Sequence, residues 1–228
     1  MGEKKRKEAE VARWKKVVVV AACVIFVVLM VVSGMGFGWL SMFAVTKPGQ
    51  TVVLDYTIYD GSGNPVITTD QQVYTTAASA GKPVLYTQQI VVVANQTMTE
   101  PIYPVPVYTS QTGSESEFAI FAMELNAITS GVVGMSTNQQ KTVALPASSS
   151  MSQLWSAEDL EKNGIDMNSI NVGDQFAMGV SDNPEEMATN ESAKTFIRIS
   201  EVIRKTDGGI VVDFSYPKAD IRVVSINN

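Results

Sequence analysis

The chain contains no histidine, and its one cysteine, Cys23, lies inside an uncharged apolar run. Histidine-based triads, histidine proton shuttles and histidine metal sites are therefore excluded, as is an intrachain disulfide. Nothing in the composition calls for a metal or a cofactor. Two positions could be chemically modified: Asn95-Gln96-Thr97 and Asn190-Glu191-Ser192 are sequons for N-glycosylation. Whatever else the chain does must rest on pockets and surfaces, so the elements that shape them come next.

Residues 17–45 carry no charge over 29 positions, well beyond the roughly 20 needed to cross a bilayer. This predicts a transmembrane helix that holds the chain in the lipid bilayer. Trp14 and Trp39 bracket the run, about 37 Å apart at ~1.5 Å per residue, which suits two interfacial anchors. The first 16 residues hold seven Lys or Arg against three Glu, a net +4, and the remaining 212 hold ten basic and twenty acidic residues, a net −10, which add to the chain's −6. Positive charge before the span places residues 1–16 in the cytoplasm as a basic tail and the acidic body outside. A cleaved signal peptide is the alternative, against which stands the length of the run; a lipoprotein box at Val20-Ala21-Ala22-Cys23 is followed by eight more apolar residues. Gly34 and Gly38 form a small-xxx-small pair that could pair two helices in a homodimer. Nucleic acid is excluded as a partner of the body, which lacks clustered Lys and Arg.

In the body, Leu125, Ile128, Val132 and Met135 recur at helical spacing, and Gly134 stands where that helix should stop. Lys141, Val143 and Leu145 then alternate at strand period up to Pro146. Residues 49–70 read as a strand pair, with Val52, Leu54, Tyr56 and Ile58 on one face of the first strand and a Gly-rich turn between the two. Residues 71–117 are long, polar and β-rich, with a short apolar strand at Val91–Val93; Pro101, Pro104 and Pro106 suit the next stretch poorly to the middle of a sheet. Ser156–Asn163 reads as a short helix ended by Gly164. Residues 172–178 and 195–203 alternate like strands around an acidic loop, Asp182 to Glu191.

The helix, Gly-Met corner and polar strand of 124–146 resemble the central segment of the FKBP-type peptidyl-prolyl isomerases, in which a short helix crosses a curved antiparallel sheet. Residues 49–70 resemble that family's first strand pair. VVDFSYPKAD with IRVVSI, within 209–226, is similar to the end of its SlyD-like branch, whose members insert a chaperone flap. The resemblance implies an α+β fold: an N-terminal transmembrane helix, then an FKBP-like domain of residues 46–146 closed by 206–228, with a long insertion at 71–117 and a small β-rich flap at 147–205. It implies catalysis by a dry pocket that favours the twisted imide, without acid, base or metal. Tyr56 matches the pocket tyrosine, Leu125 the residue whose backbone lines the groove, and Ile128 the pocket floor. Val66 and Ile67 stand where the family has an aromatic and an aspartate, and a two-residue slip at Gly61 and Gly63 would instead send both into the core and turn Thr68 to Asp70 toward the groove. Ala147 to Ser150 replace the family's Ala-Tyr-Gly, and Ser215-Tyr216 its Asn-His before Pro217. In the flap, Leu154, Trp155, Phe176 and Met178 are the candidates for holding unfolded, proline-containing clients, or else they form the flap's own small core. Three functions stay open: an outward-facing prolyl isomerase and chaperone with weakened catalysis, an inactive FKBP-like binding or holdase module, and an unrelated β-rich surface assembly protein.

Overall fold

A computed structural model describes residues 2–34, 44–108, 115–148, 151–181 and 194–227. It divides into a unit ending at Ala44 and a second unit from Val45 to Asn228. Gly38, Trp39, the loop 182–191 and its Asn190 sequon lie outside the described residues, as do Ser149 and Ser150.

The first unit is a single helix, α1, Gly2–Gly34. Its segment Trp14–Val31 is apolar apart from Lys15 and Lys16 and is long and apolar enough to cross a membrane. The side chains of this segment are exposed within their own unit, and an apolar run of this length suits an apolar medium. A membrane anchor and a signal sequence both meet that description.

The second unit is α+β, and its strands form one mixed sheet. Strand β1 (Thr51–Tyr59) lies between β12 (Lys218–Asn227) on one side and, on the other, β4 (Ile90–Val93) and β2 (Pro65–Thr68) along its two halves. β7 (Gln140–Ala144) extends the sheet beyond β12. In the other direction β2 is followed by β3 (Leu85–Thr87), β5 (Ile102–Tyr108), β6 (Glu115–Phe121), β10 (Phe196–Thr206), β11 (Gly209–Asp213) and β8 (Ser152–Ser156), with β9 (Gln175–Val180) paired to β10. Helix α3 (Ala122–Gly131) packs on β7 at one end and on β5 and β6 further along, so the sheet curls around it.

Leu125, Ile128, Val132 and Met135 are all buried in the main core, but the helix is shorter than their spacing predicts: α3 ends at Gly131, Val132 is its cap, and Met135 reaches the core from beyond the turn that follows. Gly134 ends the turn at φ +80, where a Cβ would be strained. Gly131 permits close approach to β7, because a Cβ there would stand 2.6 Å from Val143 Cγ2. On β1, Val52, Leu54, Tyr56 and Ile58 face that core as their alternation requires.

The sheet departs from the expected antiparallel arrangement in two places. β2 and β3 run parallel, as do β6 and β10 where Ile197 meets Phe118. Parallel neighbours need a crossover, and helix α2 (Gln71–Ser79), capped by Asp70, lies in the β2–β3 connection. The Asp70 cap and the Gln and Ala residues after it are helix signals that the reading of 71–117 as β-rich passed over. The proline-bearing segment is also not at an edge: β5 sits between β3 and β6. The Pro106 carbonyl accepts from Thr87 Oγ1 of β3 (2.8 Å), so its imide nitrogen, like that of Pro104 two residues back, faces the β3 side. β3 pairs only with Tyr108 and Val107 there, so the ladder to β6 loses no bond.

Around 151–213, α4 (Ala157–Lys162) starts at Ser156, whose hydroxyl accepts from Asp159 N, and Gly164 follows its end. Leu160 packs with Ile170, Val202, Ile210 and Val212 in a second, smaller core.

Candidate functional site

Tyr56, Val66, Ile67, Leu125 and Ile128 come together, but as core. Tyr56 is 2% exposed, Leu125 1%, and Val66, Ile67 and Ile128 0%. The same cluster contains Val105, Val107, Phe118 and Ile120 from β5 and β6. The β1–β2 register explains Val66 and Ile67: Ile58 opposes Ile67, Tyr59 opposes Pro65, and Val66 is left without an opposite residue as a bulge. Both neighbours thus reach the core, while Thr68 pairs with Thr57 on the opposite face.

Tyr56 is the one polar side chain among the five. Its hydroxyl is the only buried side-chain polar atom among the described residues that lacks a hydrogen-bond partner. Thr87 donates its own hydroxyl proton to the Pro106 carbonyl and keeps its lone pairs turned to the phenol, which lowers the Tyr56 value somewhat, although no bond of ordinary length forms between them. Burial, with Tyr103 nearby, pushes the Tyr56 phenol far above its ordinary value of 10.0. Burial does the same to Tyr216, whose hydroxyl both donates to Ile199 O (2.8 Å) and accepts from Ile199 N (3.1 Å). A phenol whose pKa is raised on folding contributes stability fully below its unfolded value and loses it as pH rises from about 10 toward the folded value, by about 1.4 kcal/mol per pH unit for each phenol. Tyr56→Phe is expected to raise the unfolding free energy at neutral pH by about 1 kcal/mol, since it deletes an unsatisfied buried hydroxyl, and to flatten the alkaline loss. Urea midpoints at pH 7 and pH 11 measure both; a lower midpoint at pH 7 would mean that the hydroxyl has a partner.

The four flap candidates do not share one surface. Trp155 and Phe176 pack on the small core with ring centroids 6.5 Å apart. Leu154 is 63% exposed on β8, which pairs only with β11. Met178, half-buried on β9, lines a separate concavity of about 570 Å³ with Pro106, Glu117 and Phe196.

A further concavity, of about 610 Å³, lies on the polar face of β1, β12 and β7 beside the start of α2. Arg222 bonds Asp55 Oδ2 there, Gln89 Nε2 donates to Asp55 Oδ1 (2.9 Å), and Thr142 donates to Asp220. Burial and the adjacent Asp220 carboxylate raise the Tyr59 phenol. Thr69 and Asp70 line this concavity, yet Asp70 Oδ1 is engaged by the backbone N–H groups of Gln72 and Val73. The arrangement offers polar recognition, with every acid occupied by a neighbour. Among the described residues no group of three or more His, Cys, Asp or Glu could hold a metal ion.

Between α3 and β10 lies a pair that sequence reasoning missed. Arg198 and Glu124 are both 0% exposed and form a bidentate ion pair. Arg198 also donates to Phe214 O and Ala119 O, each at 2.7 Å, and its guanidinium lies 4.0 Å from the Phe121 ring and 4.1 Å from the Tyr216 ring. Glu124 Oε2 accepts from Phe121 N (2.9 Å), so the same carboxylate caps α3. Arg198 in an alternating strand was the available signal, but its partner is 74 residues away.

No protein-family model matches this sequence, and comparison with characterised proteins gives no significant match.

Proposed function

We propose that the chain is a membrane-anchored protein whose body lies outside the cytoplasm and acts as an FKBP-like binding module with holdase character. It retains unfolded, proline-containing exported chains without turning over their proline bonds. One observation carries this reading: the five residues that the family resemblance assigns to a proline pocket have almost no exposed surface and share their core with β5 and β6. Isomerisation needs a pocket that a chain can enter and that binds the twisted imide better than the planar one. Val105, Val107, Phe118 and Ile120 pack into the same buried cluster, which speaks against entry of a proline ring.

A second reading, residual isomerase activity, is favoured by the unpartnered Tyr56 hydroxyl. A substrate carbonyl would satisfy that donor if β5 and β6 moved aside.

The full chain in detergent micelles decides between them. A coupled prolyl-isomerisation assay is expected to run at the uncatalysed rate, while the same preparation suppresses aggregation of a reduced, unfolded client at near-stoichiometric ratio. Clear rate enhancement would favour the second reading, and absence of both activities would remove both. Orientation is checked separately: protease added to intact spheroplasts should digest the body and spare residues 1–16.

A further inference from the structure

We propose that Asn95 is a glycosylation site occupied by an N-linked glycan. The inference rests on the outward orientation of the body proposed above, and its local evidence is independent of that reading.

Asn95 follows β4 in a tight turn closed by Gln96 N to Val93 O (3.1 Å), and its φ is +60. Asn tolerates this left-handed conformation better than other residues with a side chain, which accounts for an asparagine here but not for the threonine two residues on. Asn95, Gln96 and Thr97 are all exposed. Their backbone is fixed from the α3 side: Asn95 N donates to Thr129 O (2.8 Å), Thr129 Oγ1 to Gln96 O (2.9 Å), and Met98 N to Asn126 Oδ1 (2.7 Å). Neither the Asn95 amide nor the Thr97 hydroxyl has a hydrogen-bond partner among the described residues; the side chains of Asn64, Asn126, Asn163 and Asn171 are engaged by a neighbour, and Asn138 and Asn168, whose side chains are also free, head no sequon. No proline stands at 96 or 98 to block the sequon. The acceptor amide and the hydroxyl that defines the sequon are thus presented together on a rigid, outward turn.

The donor is an oligosaccharide carried on a lipid phosphate, used by a membrane-bound transferase. The Asn95 amide nitrogen bonds to the anomeric carbon as that carbon's bond to the phosphate oxygen breaks; the electron pair leaves with the lipid phosphate and the amide loses one proton. Nothing is oxidised or reduced.

The test uses full chain isolated from the membranes of the cells that make it, in an Asn190→Gln background so that only Asn95 reports. Peptide mass spectrometry should find the peptide containing Asn95 at the glycan-increased mass. Thr97→Ala and Asn95→Gln should abolish the increase, and Thr97→Ser should keep it. Because Asn95→Gln strains a positive φ, Thr97→Ala carries the comparison if the first variant does not accumulate. An unmodified Asn95 in a chain whose body is digested by protease on spheroplasts overturns the site while leaving the orientation intact. An unmodified Asn95 in a body that resists digestion overturns the orientation, and the site with it.

Discussion

Arg198→Met is expected to remove about 3–5 kcal/mol of stability, because it leaves the Glu124 carboxylate buried without its counter-ion. That is a large share of the 5–15 kcal/mol typical of a folded domain. The loss should exceed that of any surface pair, including Glu158–Lys162 on α4, which is exposed and contributes a few tenths of a kcal/mol. The Arg198 guanidinium also lies against the Phe121 and Tyr216 rings and donates to Phe214 O and Ala119 O, so the loss combines the orphaned carboxylate with two orphaned carbonyls. Pairing Arg198→Met with Glu124→Leu should recover the part of it that comes from the orphaned carboxylate, but not the bonds that Phe214 O, Ala119 O and Phe121 N lose. Equilibrium urea unfolding of the three variants gives the coupling directly. A single-variant loss below 1 kcal/mol would show that Glu124 finds another partner.

Ile67→Asp is expected to destabilise the second unit by several kcal/mol without any gain in isomerase rate. Ile67 has no exposed surface, opposes Ile58 across β1 and β2, and belongs to the main hydrophobic core, where a carboxylate has no counter-ion. Adding Val66→Phe, which would restore the aromatic and aspartate of the family pattern, makes matters worse, for a phenyl ring must then enter a space sized for valine. Thermal melting and the coupled isomerase assay on the same double variant test this. A rise in rate at unchanged stability would mean that these two positions line a pocket after all, and would defeat the holdase reading together with this prediction.

Both results bear on how the body holds together. Glu124 belongs to the segment that resembles the FKBP core, Arg198 to the segment expected as a flap, and Tyr216 to the closing segment. Ser62 Oγ bonds Glu201, and Gln175 Nε2 donates to Asp60 Oδ2 (2.6 Å), so the β1–β2 turn also reaches the strands of the flap segment. Residues 45–228 accordingly behave as one compact unit.

Features that depend on near neighbours in the chain are legible in the residues themselves. The apolar run of α1 needs only composition and length to be read. The face of α3, the left-handed turn at Gly134 beyond its end, the alternation of β1 and the Ser156 cap of α4 follow from 3.6- and 2-residue periods and from local capping chemistry. Tertiary structure alone decided the rest. α2 has local support in its Asp70 cap and its Gln and Ala residues, but that it joins two parallel strands is decided by the pairing of β2 with β3. β5 accepts two prolines inside the sheet because both nitrogens face the side on which β3 is short. Val66 and Ile67 could have faced either way from their alternation, and a single bulge opposite Ile58 and Tyr59 sent both into the core. Arg198 and Glu124, 74 residues apart, carry no mark of each other in their own neighbourhoods. Charge pairing across a core is set by which strands meet, and that is a property of the folded sheet.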